Sequence, residues 1–166
     1  RSMTVEDLPQ ASAGALDETY DQIEQVGEQL GRVRASIGRV IFGQADVIDE
    51  TLITLLAGGH LLLVGVPGLA KTLLVETLGT VVGLDNRRIQ CTPDLMPSDV
   101  LGVNFYNQKS GEFEFREGPV FSQIILTDEI NRATPRTQSS LLEAMQERQA
   151  TIDGETMTLP DPFMVM

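Results

Sequence analysis

The feature that most restricts the fold is a glycine-bearing run, Gly65-Val66-Pro67-Gly68-Leu69-Ala70-Lys71-Thr72. It sits between a continuous apolar stretch, His60-Leu61-Leu62-Leu63-Val64, and a segment with helical spacing from Lys71 to about Val82. A short unbroken apolar run reads as a parallel strand buried on both faces. Glycines let the backbone bend so that successive N–H groups point inward and form a nest for an anion. The helix N-terminus behind the loop adds unsatisfied N–H groups and the positive end of its dipole. Lys71 can reach terminal phosphates as a point charge, and the Thr72 hydroxyl is placed to ligate magnesium. The run therefore predicts ATP held with Mg2+ by Gly65, Val66, Pro67, Gly68, Leu69, Ala70, Lys71, Thr72 and Leu73. Ala70 stands where the usual pattern has glycine, and a methyl group is tolerable there if the residue is already helical. The plainer reading is a Gly-Pro turn capping an ordinary helix.

A phosphate loop needs a second half, an apolar strand that ends in acid. Ile124-Ile125-Leu126-Thr127-Asp128-Glu129 supplies it. Asp128 is placed to hold magnesium through its water shell, and Glu129 to orient and deprotonate an attacking water. The expected catalytic pair is thus Glu129 with Lys71, and the expected metal residues are Thr72 and Asp128. This acidic strand is expected beside the first strand, with both C-terminal ends facing the ligand. Without the upstream loop, an acidic pair ending a surface strand would be the better reading. Glutamate directly after the magnesium aspartate favours transfer to water over transfer to a hydroxyl acceptor.

The rest of the chain alternates helices and strands. Residues 1–14 are polar and small, predicted to fray. Leu16, Tyr20, Ile23, Val26, Leu30, Val33, Ile37 and Val40 recur at steps of three or four, an amphipathic helix over 15–40 packed on its own domain or on a partner helix. Ile41-Phe42-Gly43-Gln44 turns into a second helix over 45–57. A second strand is expected over 88–91, and a helix over 135–149 with Leu141, Leu142 and Met145 as its buried face. Two hairpins are expected, one around Lys109-Ser110-Gly111 and one around Asp153-Gly154-Glu155. A further strand starts at Phe163. This order implies an α/β fold with a mostly parallel sheet covered on both faces.

Composition narrows the partners. Net charge is −12, with no block of Lys and Arg, which counts against a nucleic-acid surface. The longest apolar stretch is interrupted by Gly58, Gly59 and His60, short of the roughly 20 residues that span a bilayer. The single cysteine, Cys91, fits a reducing compartment, and a cytoplasmic protein is expected.

Several runs together resemble the MoxR family of AAA+ ATPases. They are the phosphate loop with its Ala70, Thr92-Pro93-Asp94-Leu95-Met96-Pro97-Ser98-Asp99, Arg116-Glu117-Gly118-Pro119-Val120-Phe121, Thr127-Asp128-Glu129-Ile130-Asn131-Arg132-Ala133 and Leu141-Leu142-Glu143-Ala144-Met145-Gln146-Glu147-Arg148-Gln149. The likeness covers residues 37–166 and extends to magnesium chelatase ATPase subunits. It implies a P-loop NTPase of AAA+ type, with 41–166 forming part of the large α/β domain. It implies a homo-oligomeric ring, a hexamer in the family, with chaperone-like work on protein complexes, often beside von Willebrand A domain proteins. It also implies that the stretch Ile41, Phe42, Gly43 and Gln44 lines the adenine. The family continues into a polar sensor, an arginine finger and a helical lid beyond the position of Met166, so these 166 residues are expected to hydrolyse ATP barely or not at all.

Other residues carry weaker readings. His60, without a Cys or His partner, reads as structural. Arg132 and Arg136 can face a neighbour's nucleotide in a ring or simply meet solvent. Gln90 or Thr92 can hydrogen-bond and restrain Glu129. Phe105, Phe113 and Phe115 can form a partner-binding wedge or pack within their hairpin. The rival functions are a nucleic-acid motor or loader of the same superfamily and a non-hydrolysing nucleotide switch.

Overall fold

Strand β4 (Ile124–Asp128) is the middle of a three-stranded sheet, flanked by β1 (Asn86–Gln90) and β7 (Met164–Val165), both parallel to it. The structure, a computed structural model, describes residues 13–65 and 71–166. Three consecutive buried residues, Ile124, Ile125 and Leu126, place β4 where neither face meets water. Alternation along the strands feeds two separate cores. Ile125, Phe163 and Val165 point to one side, with Ile89, Cys91, Val100, Val120, Leu141 and Ala144. Ile124, Leu126, Met164 and Met166 point to the other, with Ile37, Ile41, Ile48, Leu52, Leu74, Val75 and Leu78.

Helices α1 (Ala13–Gly38), α2 (Ala45–Leu56) and α3 (Lys71–Val82) supply the second core. The first is closed by α4 (Pro97–Leu101) and α5 (Pro135–Glu147). The sheet is therefore parallel and covered on both sides, as expected. Thr134 caps α5 by accepting from the Thr137 N–H at 3.3 Å, and Pro135 occupies its first turn. The Thr137 hydroxyl in turn donates to the Leu95 carbonyl at 2.7 Å, tying α5 to the entry of α4. Two antiparallel hairpins complete the elements, β2 (Gly102–Asn107) with β3 (Glu112–Glu117), and β5 (Gln149–Ile152) with β6 (Glu155–Thr158). At the base of the first, a Cβ on Gly118 would run into the Val100 carbonyl and the Gly102 amide, so no other residue fits without a shift.

Four expectations change. The apolar run at 60–64 joins no ladder. Leu61 N–H donates to the Val165 carbonyl at 3.0 Å, but Leu62 and Val64 are 78% and 87% exposed. One flank of this extended segment meets β7 and the other has no strand among the described residues. The acidic strand is consequently not beside it, because β7 lies between them. The stripe of α1 is buried only towards its end: Ile37 is in the core, while Tyr20, Ile23 and Val26 are exposed. On α5 the inward face is Thr137, Leu141 and Ala144, which shares only Leu141 with the expected one, and Leu142 is exposed.

His60 is built into this scaffold. Its Nδ1 accepts from the Val165 N–H at 3.0 Å, which leaves Nε2 as the protonated nitrogen, donating to the Met145 carbonyl at 3.2 Å. Its ring meets Phe163 edge-on at 5.9 Å. Burial, helped by the Arg148 charge, lowers its pKa from 6.5 against the opposing pull of the Met145 carbonyl. The folded state thus favours neutral His60, and the unfolded chain takes up its proton first as pH falls. This contribution to stability is complete above about pH 6.5 and is lost below it. Urea unfolding at pH 7.5 and 5.5 should show the parent losing stability on acidification and His60→Gln losing less. His60→Ala, which strands the Val165 N–H, should cost about 1–3 kcal/mol at pH 7.5.

Candidate nucleotide-binding site

The C-terminal end of β4 and the N-terminal end of α3 converge on one cavity of about 240 Å³, lined among others by Gly65, Lys71, Asp128, Glu129 and Asn131. Of the expected loop, Val66, Pro67, Gly68, Leu69 and Ala70 lie outside the described residues. Gly65 and Lys71 mark its two ends. Lys71 is the first described residue of α3. Thr72 follows, half-buried, and Leu73 is exposed.

Lys71 Nζ stands 3.8 Å from Asp128 Oδ1, too far for a hydrogen bond and close enough for mutual attraction. Asp128 is 17% exposed and fixed from both directions along the chain. Its backbone is in register with Gln90, and its carbonyl accepts from the Cys91 N–H at 3.0 Å. Burial, reinforced by the charge of Asp128, pushes the Cys91 thiol up, leaving it protonated and inert. On the far side of Asp128, Arg88 Nη2 donates to Oδ2 at 2.7 Å and to Gln90 Oε1 at 2.7 Å.

Glu129 is exposed and adopts φ 57°, ψ 43°, the left-handed region that side chains other than glycine avoid. A 3-10 turn (Ile130–Arg132) starts immediately after it. Strand direction ends at Asp128 and the left-handed residue turns the chain sharply, so Asp128 and Glu129 are not two equivalent tips of one strand. This turn was invisible in the sequence, which has no glycine there to announce it.

These residues suit a nucleotide with magnesium. Among the described residues no group of three or more His, Cys, Asp or Glu side chains could hold a metal alone. One carboxylate and one hydroxyl instead suit an ion that keeps waters and takes phosphate oxygens. Thr72 and Asp128 would hold it, and it would supply charge to bridge the terminal phosphates.

Other expected residues fall elsewhere. Ile41 is 4% exposed and packs in the core, while Phe42 is 79% exposed. Gly43 shares a separate hollow with Arg34 and Ile48. Gln44, the end of that stretch, and Val47, missed from the sequence, border a small hollow that includes Gly65 and Lys71. Gln90 Oε1 accepts from Arg88, and neither Gln90 nor Thr92 hydrogen-bonds Glu129. Arg132 and Arg136 are exposed. Phe115 packs on Phe121 at 5.6 Å, whereas Phe113 stays exposed against Tyr106.

Residues 60–166 match the family model of the ATPase family associated with various cellular activities (AAA). The chain is 50% identical over 137 residues to the chaperone MoxR1 of Mycobacterium tuberculosis, covering 82% of this chain and 36% of MoxR1. It belongs to the MoxR family of AAA ATPases. It is also 52% identical over 143 residues to YeaC of Bacillus subtilis, covering 86% of this chain and 45% of YeaC. A crystal structure described as an ATPase from Cytophaga hutchinsonii superposes with a TM-score of 0.71 at 48% identity, over 87% of this chain and 46% of that one. The MoxR-family chain thus spans less than half the length of each of these relatives. Among its described residues no helix is long and apolar enough to cross a membrane.

Lys71→Ala should leave the fold intact, because the side chain is partly exposed and outside both cores. It should weaken ATP binding by about 1.5–3 kcal/mol, the size of a charge-assisted contact. Calorimetry on the full-length protein, with circular dichroism as the folding control, reads both.

Proposed function

We propose that this chain carries the ATP- and magnesium-binding half of a MoxR-type motor that remodels or matures protein complexes. The observation that carries this reading is the meeting of Lys71 and Asp128 across 3.8 Å at the mouth of the cavity, with Glu129 on the adjoining turn. In it, the loop at 65–72 and Lys71 bind the phosphates, and Thr72 and Asp128 hold Mg2+. Glu129 accepts a proton from the attacking water. The left-handed backbone supports that role, since sparsely populated conformations collect at working sites. The products are ADP and phosphate.

A ring of identical subunits in the cytoplasm, working beside von Willebrand A domain proteins, belongs to the same proposal; the likeness to the chaperone MoxR1 supports its chaperone-like work. Hydrolysis in such a ring draws on an arginine from the neighbouring subunit, worth about 10³–10⁵ in rate in P-loop systems. Apart from that finger, Arg132 and Arg136, exposed just beyond the acidic strand, are this chain's own candidates for facing a neighbour's nucleotide.

Glu129→Gln in the full-length protein should retain ATP and slow hydrolysis at least about 100-fold, the usual lower size of a general-base effect. Phosphate release and retained radiolabelled ATP, measured on the same sample, test it. Hydrolysis at the parent rate would move the base elsewhere. Salt-sensitive binding to DNA would favour a nucleic-acid motor instead.

A further inference from the structure

The two oxygens of Asp128 are in different hands. Parallel pairing puts Gln90 opposite Asp128 and Arg88 opposite Leu126. Residues two apart on a strand share a face, so Arg88 and Gln90 lie together while Ile89 between them is buried in the core. Arg88 Nη2 donates at once to Gln90 Oε1 and to Asp128 Oδ2, both at 2.7 Å. Oδ1 accepts no hydrogen bond from Lys71, 3.8 Å away, and the two residues line the same cavity.

A carboxylate held at one oxygen cannot spin freely about its Cβ–Cγ bond. We propose that Arg88, braced by Gln90, is a positioning residue that grips Oδ2 so that Oδ1 is the oxygen presented to the water shell of magnesium. The inference rests on the nucleotide reading of this site. When phosphates arrive, Lys71 is drawn to them and Asp128 loses a cationic neighbour. Arg88 stays, because it stands on β1, on the opposite edge of β4 from β7 and the segment that leads to Gly65. It keeps the carboxylate oriented as its companions change. An ordinary surface ion pair would instead be indifferent to the metal. Arg88 is 48% exposed, so its pairing contributes little to folding, and replacing it should leave the sheet intact.

The test uses the full-length protein, a fluorescent ATP analogue and magnesium chloride. Nucleotide affinity is titrated in chelator and then as a function of magnesium, for the parent, Arg88→Met and Arg88→Lys. Methionine keeps much of the apolar stem and removes the donors. Partners in the outer shell of a metal typically change its affinity about 10- to 100-fold, and the exposure of Arg88 points to the lower end. Arg88→Met should need about tenfold more magnesium and bind the analogue as the parent does in chelator. Arg88→Lys, a cation without the planar fork, should fall between. In an Asp128→Asn background, Arg88→Met should add nothing further. A parent-like magnesium requirement in Arg88→Met overturns the positioning role, and so does a lower requirement, which would make Arg88 a competitor of the metal. A parent protein that binds no analogue in either condition overturns the nucleotide reading, and this inference with it.

Discussion

Everything at the site depends on β4 being hydrogen-bonded along both edges. A strand paired on one side can slip or fray, and a one-residue slip would exchange its two faces. Here β1 fixes one edge from Asn86↔Ile124 to Gln90↔Asp128, and β7 fixes the other at Ile124↔Met164 and Ile125↔Val165. Each face then has its own core to fill, Ile125 on one side and Ile124 with Leu126 on the other. With register and facing both locked, Thr127 is the first residue of β4 past its fully buried run, and Asp128 is its first carboxylate. The acid is therefore positioned by hydrophobic burial several residues earlier in the chain.

The same logic explains why Lys71 is met at a definite distance. Helix α3 buries Leu74, Val75 and Leu78 against the face that Ile124 and Leu126 present. Its N-terminus then emerges level with the end of β4. Two elements packed through one core deliver opposite charges to one cavity, and neither charge is needed to hold the elements together.

Much of this was legible in the sequence, because strands β1 and β4, helices α2, α3 and α5 and both hairpins announce themselves by apolar runs, helical spacing or turn residues. Asp128 and Lys71 were found because each ends or begins such an element. What stayed hidden is the order of strands in space. Nothing in Leu61 to Val64 says that Val165, not β4, is the neighbour. Periodicity also names a face without naming its cover, so the stripe of α1 looked uniformly buried when only its last turns are. Helix α4 is five residues long, too short for a period, and shows itself only through Pro97 and the Asp99 carboxylate accepting from the Met96 N–H at 2.8 Å. Arg88, one cation on a short strand, meant nothing until the register put it two residues short of Asp128.

The backbone at Glu129 sets two demands in opposition. A left-handed residue is held most comfortably by glycine, and β-branched side chains are the worst fitted to it. The mechanism proposed above asks for a carboxylate. Across a library of substitutions at this one position, tolerance to heat and turnover would rank the residues differently: glycine folds best and does nothing, and glutamate works at a conformational cost. Selection for robustness alone would erode such a site here first.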